Sequence, residues 1–144
     1  METIVREFKL AAATGGNILD RINSVEDAYG LMGLERGKVL EINAQGPLKK
    51  LAEQLLDLAD LTIICNVVNE DWVADYSDAS QYKYYAWLRY TPGSGFAFAD
   101  SGCDHVCASL GARPALKSAA LAKAVYEKFP ELCNRVASFN SKQG

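Results

Sequence analysis

Residues 82–98 read Tyr82-Lys83-Tyr84-Tyr85-Ala86-Trp87-Leu88-Arg89-Tyr90, then Thr91-Pro92-Gly93-Ser94, then Gly95-Phe96-Ala97-Phe98. Two aromatic-rich runs of strand length flank a Pro-Gly turn, the sequence pattern of a β-hairpin. The first strand is expected over Tyr82 to Tyr90 and the second over Gly95 to Asp100, paired antiparallel. In a strand, successive side chains face opposite ways. Tyr82, Tyr84, Ala86, Leu88 and Tyr90 therefore share one face, and Lys83, Tyr85, Trp87 and Arg89 the other. The second set mixes aromatic rings with cations and is read as the outward, binding face: Lys83, Tyr85, Trp87 and Arg89 are the candidate contact residues. Nine of the fourteen aromatic residues fall between Trp72 and Phe98. Such density marks either the thick part of a core or a surface that grips something else.

Working outward, Arg113 to Lys117 has the composition of a third strand, which would complete a short meander. Ser118 can then cap a helix in which Leu121, Val125, Phe129, Leu132, Val136 and Phe139 step by four or three. Pro130 interrupts this run without shifting the stripe, which points to one kinked helix or two collinear ones. Upstream, Gly46-Pro47 opens the clearest helix of the chain, expected over 47–69, because proline fits a first helical turn whose N–H groups are unpaired anyway. Leu48, Leu51, Leu55, Leu58 and Thr62 lie on one face of it. Leu56, Ile63, Ile64, Val67 and Val68 widen that stripe, so the second half should be deeply buried. Ser24 and Asp27 have the spacing of a capping box for a short helix from Val25 to about Met32, closed by Gly33. Residues 1–22 read as a strand or a flexible arm, Glu70 to Ser80 as an acidic connecting loop, and 140–144 as a frayed tail. The fold class expected is α+β: a short antiparallel meander packed against two long helices, with a short additional N-terminal helix, in a single domain over 1–144.

The chain has 144 residues, 49% hydrophobic and 23% charged, with a net charge of −3. These values are ordinary for a globular domain and exclude a strong overall electrostatic attraction to nucleic acid or anionic lipid. Residues 105–144 carry six Lys/Arg against two Asp/Glu, whereas residues 1–104 carry nine against sixteen. Packing between oppositely charged parts, or against a neighbour, is the expected account of that asymmetry, with a basic patch facing RNA or DNA as the alternative. The start Met1-Glu2-Thr3-Ile4 lacks a basic segment followed by an apolar one, and no apolar run is long enough to span a bilayer. A cytoplasmic setting with reduced thiols is the default expectation for Cys65, Cys103, Cys107 and Cys133.

Cys103-Asp104-His105-Val106-Cys107 is the one constellation with the residue types of a metal site, and Asp100, Cys65 or Cys133 could add a fourth ligand. A structural zinc site normally uses two ligand pairs set around tight turns, and the second pair is missing. These cysteines are read as small apolar fillers, with no metal and no cofactor expected. His105 is the only histidine, and no nucleophile elbow, phosphate loop or dinucleotide fingerprint accompanies it. The acids Glu70, Asp71, Asp75 and Asp78 fail the spacing of a calcium loop. No catalytic residue is assigned.

Tyr82-Lys83-Tyr84-Tyr85 with Trp87, Ser94-Gly95-Phe96 with Phe98, and Lys117-Ser118 with Leu121-Ala122 together resemble small proteins of phage and mobile-element type. In those, a YKYYPWF strand and an SGF-x-F strand precede a Lys-Ser step into a C-terminal helix. The likeness covers about residues 69–139; Ala86 stands where that pattern has proline, and the Cys-His loop lies outside it. The resemblance implies a compact accessory protein with no catalytic residues to carry over. The leading expectation is a non-enzymatic binding or assembly protein, with a protein partner or its own copies. The alternative is a single-stranded nucleic-acid binder using the aromatic face, with bases on the rings and phosphates on Lys83 and Arg89; a zinc-binding or enzymatic domain is third.

Overall fold

The Ser24 hydroxyl accepts from the Asp27 N–H at 3.1 Å, while the Asp27 carboxylate accepts from the Ser24 N–H at 3.0 Å. This reciprocal box starts helix α1, Val25–Leu31, by satisfying N–H groups that have no intrahelical partner. The computed structural model describes residues 17–39, 41–106 and 114–139. Expectations for the first sixteen residues, for 107–113 and for the last five lie outside those described. The chain divides into two compact units, Met1–Asp71 and Trp72–Gly144, and its class is α+β.

In the first unit a short 3-10 turn, Ile18–Arg21, precedes α1, a one-turn helix α2, Arg36–Val39, and the long helix α3, Leu48–Asn69. Gly46 takes a φ of 62°, and Pro47 leads the chain into α3. Ile18, Ile22, Ala28 and Tyr29 are buried, as are Ile64, Cys65, Val67 and Val68 of α3. The second half of α3 is thus the buried half, as the all-round apolar pattern required. Its first half differs: Leu48, Leu51 and Leu55 are exposed. Glu70 ends the helix with a φ of 56°, a conformation that costs a side-chain-bearing residue on the order of 1 kcal/mol.

In the second unit, β1, Lys83–Thr91, and β2, Gly95–Asp104, form one antiparallel hairpin. Pro92 fixes φ at the corner and Gly93 supplies a φ of 84°, while the Ser94 N–H donates to the Thr91 carbonyl at 3.0 Å. The register runs Trp87 to Asp100 and then Leu88 to Phe98, so Ala99 is a bulge with no partner. The second strand continues four residues beyond the Asp100 end expected from sequence. Among the described residues of the expected third strand, 114–117, no strand forms. Leu116 alone exchanges backbone hydrogen bonds with Tyr84, both at 2.9 Å. Pro114 has no N–H to give a ladder, and Ser118 is already committed to capping, so one bridge is all that fits between them.

The Ser118 hydroxyl accepts from the Leu121 N–H at 3.2 Å and starts α4, Ala119–Lys128; α5 follows over Pro130–Ala137. The two are separated at Phe129, whose φ of −127° and ψ of 53° leave the helical region. This is the position before a proline, where helical geometry clashes with the pyrrolidine ring. Both helices pack on the hairpin: the Phe98 and Tyr126 ring centroids lie 6.0 Å apart, and the Tyr126 hydroxyl donates to the Phe96 carbonyl at 3.3 Å. Ala122, Val125 and Leu132 are buried beneath them.

Candidate functional site

Pairing assigns each residue of the hairpin to a face. Leu88 and Tyr90 stand with Phe98 and Phe96, the face that meets Tyr126, and the Tyr90 and Phe96 rings meet edge-on at 5.3 Å. Lys83, Tyr85, Trp87 and Arg89 lie on the opposite face. That face has two halves with different fates. One is roofed by the segment between Trp72 and Tyr82, and the other is open.

The roofed half corrects the reading of Lys83 and Tyr85 as outward residues. Lys83 is fully buried and Tyr85 nearly so. The lysine side chain is long enough to run under the loop, where its ammonium donates to the carbonyls of Asp78 at 3.1 Å and Gln81 at 2.8 Å, and to that of His105. It also sits 5.2 Å from the centre of the Tyr76 ring, so three lone pairs and a π-face replace its water. The Tyr85 and Tyr76 hydroxyls are hydrogen-bonded at 2.9 Å. Parity placed these residues on the correct strand face but could not see that a loop would cover it.

The loop itself is built from two successive Asp-x-Ser turns. The Asp75 carboxylate accepts from the Ser77 N–H and hydroxyl at 2.9 and 2.6 Å, and Asp78 repeats the arrangement with Ser80 at 2.8 and 2.6 Å. The serine hydroxyl, then the serine N–H, hold both carboxyls below their ordinary range, with the nearby Lys83 ammonium adding to the effect. The Gln81 side chain ties the two ends of the segment, accepting from the Asp75 N–H and donating to the Val73 carbonyl. These acids are spent on local turns rather than gathered around a cation.

The open half carries Trp87 and Arg89. Trp87 is 60% exposed yet is not loose on the surface, because its indole lies across Gly102 of the neighbouring strand. A Cβ at position 102 would stand 2.1 Å from the indole nitrogen. Glycine is therefore required there to let the ring lie down on the backbone. Sequence reasoning missed Gly102; the signal that could have found it is a glycine within a strand-like run.

The described part of the Cys-His segment, Cys103 to Val106, packs against the loop before β1. His105 Nδ1 is 2.8 Å from the Ala79 carbonyl, and its ring lies 4.2 Å from that of Tyr82. Cys103 is exposed, Cys65 is buried, and burial pushes the Cys133 thiol up to about 11; Cys107 lies outside the described residues. Among the described residues no three His, Cys, Asp or Glu side chains are grouped to hold a metal ion. No helix among them is long and apolar enough to cross a membrane.

A second polar cluster, in the first unit, was also missed. Asp60 of α3 is 4% exposed and accepts from the Tyr29 hydroxyl at 3.0 Å and from Arg36 Nε and Nη2, both at 2.8 Å. Burial first, then the Asp60 hydrogen bond, push the Tyr29 hydroxyl up to about 12, and the same carboxylate raises Arg36. Tyr29 is held as a neutral donor and Arg36 as a permanent cation. The trio locks α1, α2 and α3 together rather than offering a reactive group. Its sequence signal was an acid directly preceding the apolar run that begins at Leu61, in the half of the helix expected to be buried. Comparison with protein-family models, with characterised proteins and with solved structures finds no match for this chain.

Proposed function

We propose that the protein is a non-enzymatic assembly protein, an accessory of the phage or mobile-element kind, which binds further copies of itself through Trp87 and Arg89 at the open end of the hairpin. The observation that carries this reading is the 60% exposed Trp87 fixed over Gly102. A large ring already immobilised loses little entropy on binding, and tryptophan and arginine are the residue types that dominate protein contacts. Single-stranded nucleic acid is the weaker reading. Lys83 is committed to backbone carbonyls, and Asp100, paired directly with Trp87, puts a carboxylate where a phosphate would pass.

The test uses Trp72→Phe protein, so that emission reports Trp87 alone. Raising the protein concentration should increase the molecular mass, shift the emission to the blue and protect the indole from acrylamide. Arg89→Ala should weaken all three changes. A Trp87 quenched equally at every concentration, in a protein whose mass Trp87→Ala does not alter, overturns the reading. Salt-sensitive binding of an oligonucleotide lost in Arg89→Ala would favour the alternative.

A further inference from the structure

The hairpin has two edges, and they are treated differently. Tyr84 turns its N–H and carbonyl away from β2 to meet Leu116, so the backbone groups of Ala86, Leu88 and Tyr90, at the strand's period of two, point the same way. Among the described residues those groups have no partner on that side. Along the far side of β2, by contrast, the Phe96 carbonyl accepts from the Tyr126 hydroxyl at 3.3 Å. The Ser101 N–H there donates to the Asp100 carboxylate at 2.7 Å, and the His105 N–H to that of Asp104 at 2.6 Å. Groups spent in this way blunt an edge against further strands. The β1 edge is the one left open.

Resting on the reading that copies meet through Trp87 and Arg89, we infer that the contact is a strand pairing. β1 of one copy lies antiparallel to β1 of the other about a two-fold axis at Leu88, which joins two hairpins into one four-stranded sheet. The open stretch has a stop at each end: Leu116 holds the edge at Tyr84, and Pro92, which has no N–H, follows the last residue of β1. These stops choose the register. Centring on Leu88 pairs Ala86 with Tyr90 of the other copy and Leu88 with its counterpart, so every open residue is used. Centring one residue earlier puts Tyr90 against Tyr84, where Leu116 already sits. Centring one residue later puts Ala86 against Pro92 and Arg89 against itself. Side chains agree with the Leu88 register. It makes Trp87 and Arg89 of the other copy a non-hydrogen-bonded pair, the kind whose side chains stand closest, on the open face and twice over by symmetry. A guanidinium beside an indole is an attractive contact. On the other face Tyr90 stands beside Ala86, a large side chain against a small one. With the far side of β2 blunted, the pairing closes at two copies.

Amide exchange tests this on the unaltered chain. As concentration rises and the mass increases, exchange at Ala86, Leu88 and Tyr90 should slow by about tenfold or more. In a mixture of isotope-labelled and unlabelled copies, an Hα–Hα Overhauser contact should join Trp87 of one to Arg89 of the other. Ala86→Pro removes one edge N–H from each copy at a position where the hairpin itself does not use it. It should weaken the dimer about tenfold or more, with the circular dichroism spectrum unchanged. A dimer whose Ala86, Leu88 and Tyr90 amides exchange as fast as the monomer's overturns the strand pairing and leaves the Trp87 and Arg89 reading standing. An Overhauser contact from Trp87 to Trp87, or from Arg89 to Arg89, overturns the register. A chain that stays monomeric at every concentration overturns that reading and this inference together.

Discussion

Among the described residues each unit of this protein buries one charged side chain, and the two are held in opposite ways. Asp60 is held by side chains, a tyrosine hydroxyl and both arms of an arginine. Lys83 receives backbone carbonyls and the face of a ring. The anion has a counter-charge contributed by a separate helix and so fastens distant parts of its unit. The cation fastens one loop beside its own strand. A buried charge is tolerated only when its lost hydration is replaced in full. The difference lies in what its removal releases: an arginine that has lost its partner in one case, three neutral carbonyls in the other.

The largest expected effect follows from that asymmetry. Asp60→Ala leaves Arg36 without its carboxylate and Tyr29 without an acceptor, and should cost about 3 kcal/mol in urea unfolding; a loss under 1 kcal/mol would break the comparison. Lys83→Met keeps the buried stem and deletes the charge. It should cost about 2 kcal/mol, with faster amide exchange confined to residues 72–82 while the hairpin amides beyond Trp87 stay protected.

The third prediction concerns pH. Tyr29 is pushed up from 10.0 to about 12 in the folded protein, so the unfolded chain releases that proton first. Its contribution is complete below pH 10 and is lost as pH rises to 12, roughly 2 to 3 kcal/mol in all; Tyr29→Phe should flatten this alkaline limb. The carboxyls of Asp75 and Asp78 are lowered, so their contribution is present above the unfolded value of 3.8 and disappears as pH falls below it. Amide exchange in the loop should accordingly rise in acid.

The smallest effect is Gly102→Ala, which should cost about 1 kcal/mol and shift Trp87 emission to the red as the indole lifts from the strand. An unchanged spectrum would show that the ring does not depend on the bare backbone beneath it.

The same contrast explains what could be read from the chain. Caps and turns are written in residue types, so Ser24 with Asp27, Pro47, Pro92-Gly93 and Ser118 located their elements to within a residue or two. Pro130 likewise marked the break between α4 and α5. Asp60 was legible in principle, because its partners are side chains that occupy sequence positions. Lys83 was not. Its partners are carbonyls, which every residue possesses, and no pattern of side chains announces that a loop will fold over a strand. Alternation therefore located the face carrying Lys83, Tyr85, Trp87 and Arg89 and could not divide it into a covered and an open half. The third strand failed for a related reason: Arg113 to Lys117 has strand-like composition, but pairing depends on available N–H groups, and Pro114 removes one.

Gly102 and Trp87 are fifteen residues apart in sequence and share one space. A lineage that acquires a side chain at 102 must move or lose the indole at 87, and one that replaces the tryptophan with a small residue frees 102 to vary. In related chains the two positions should therefore change together or not at all. A glycine opposite a small residue at 87 would mark a relative that has abandoned this surface.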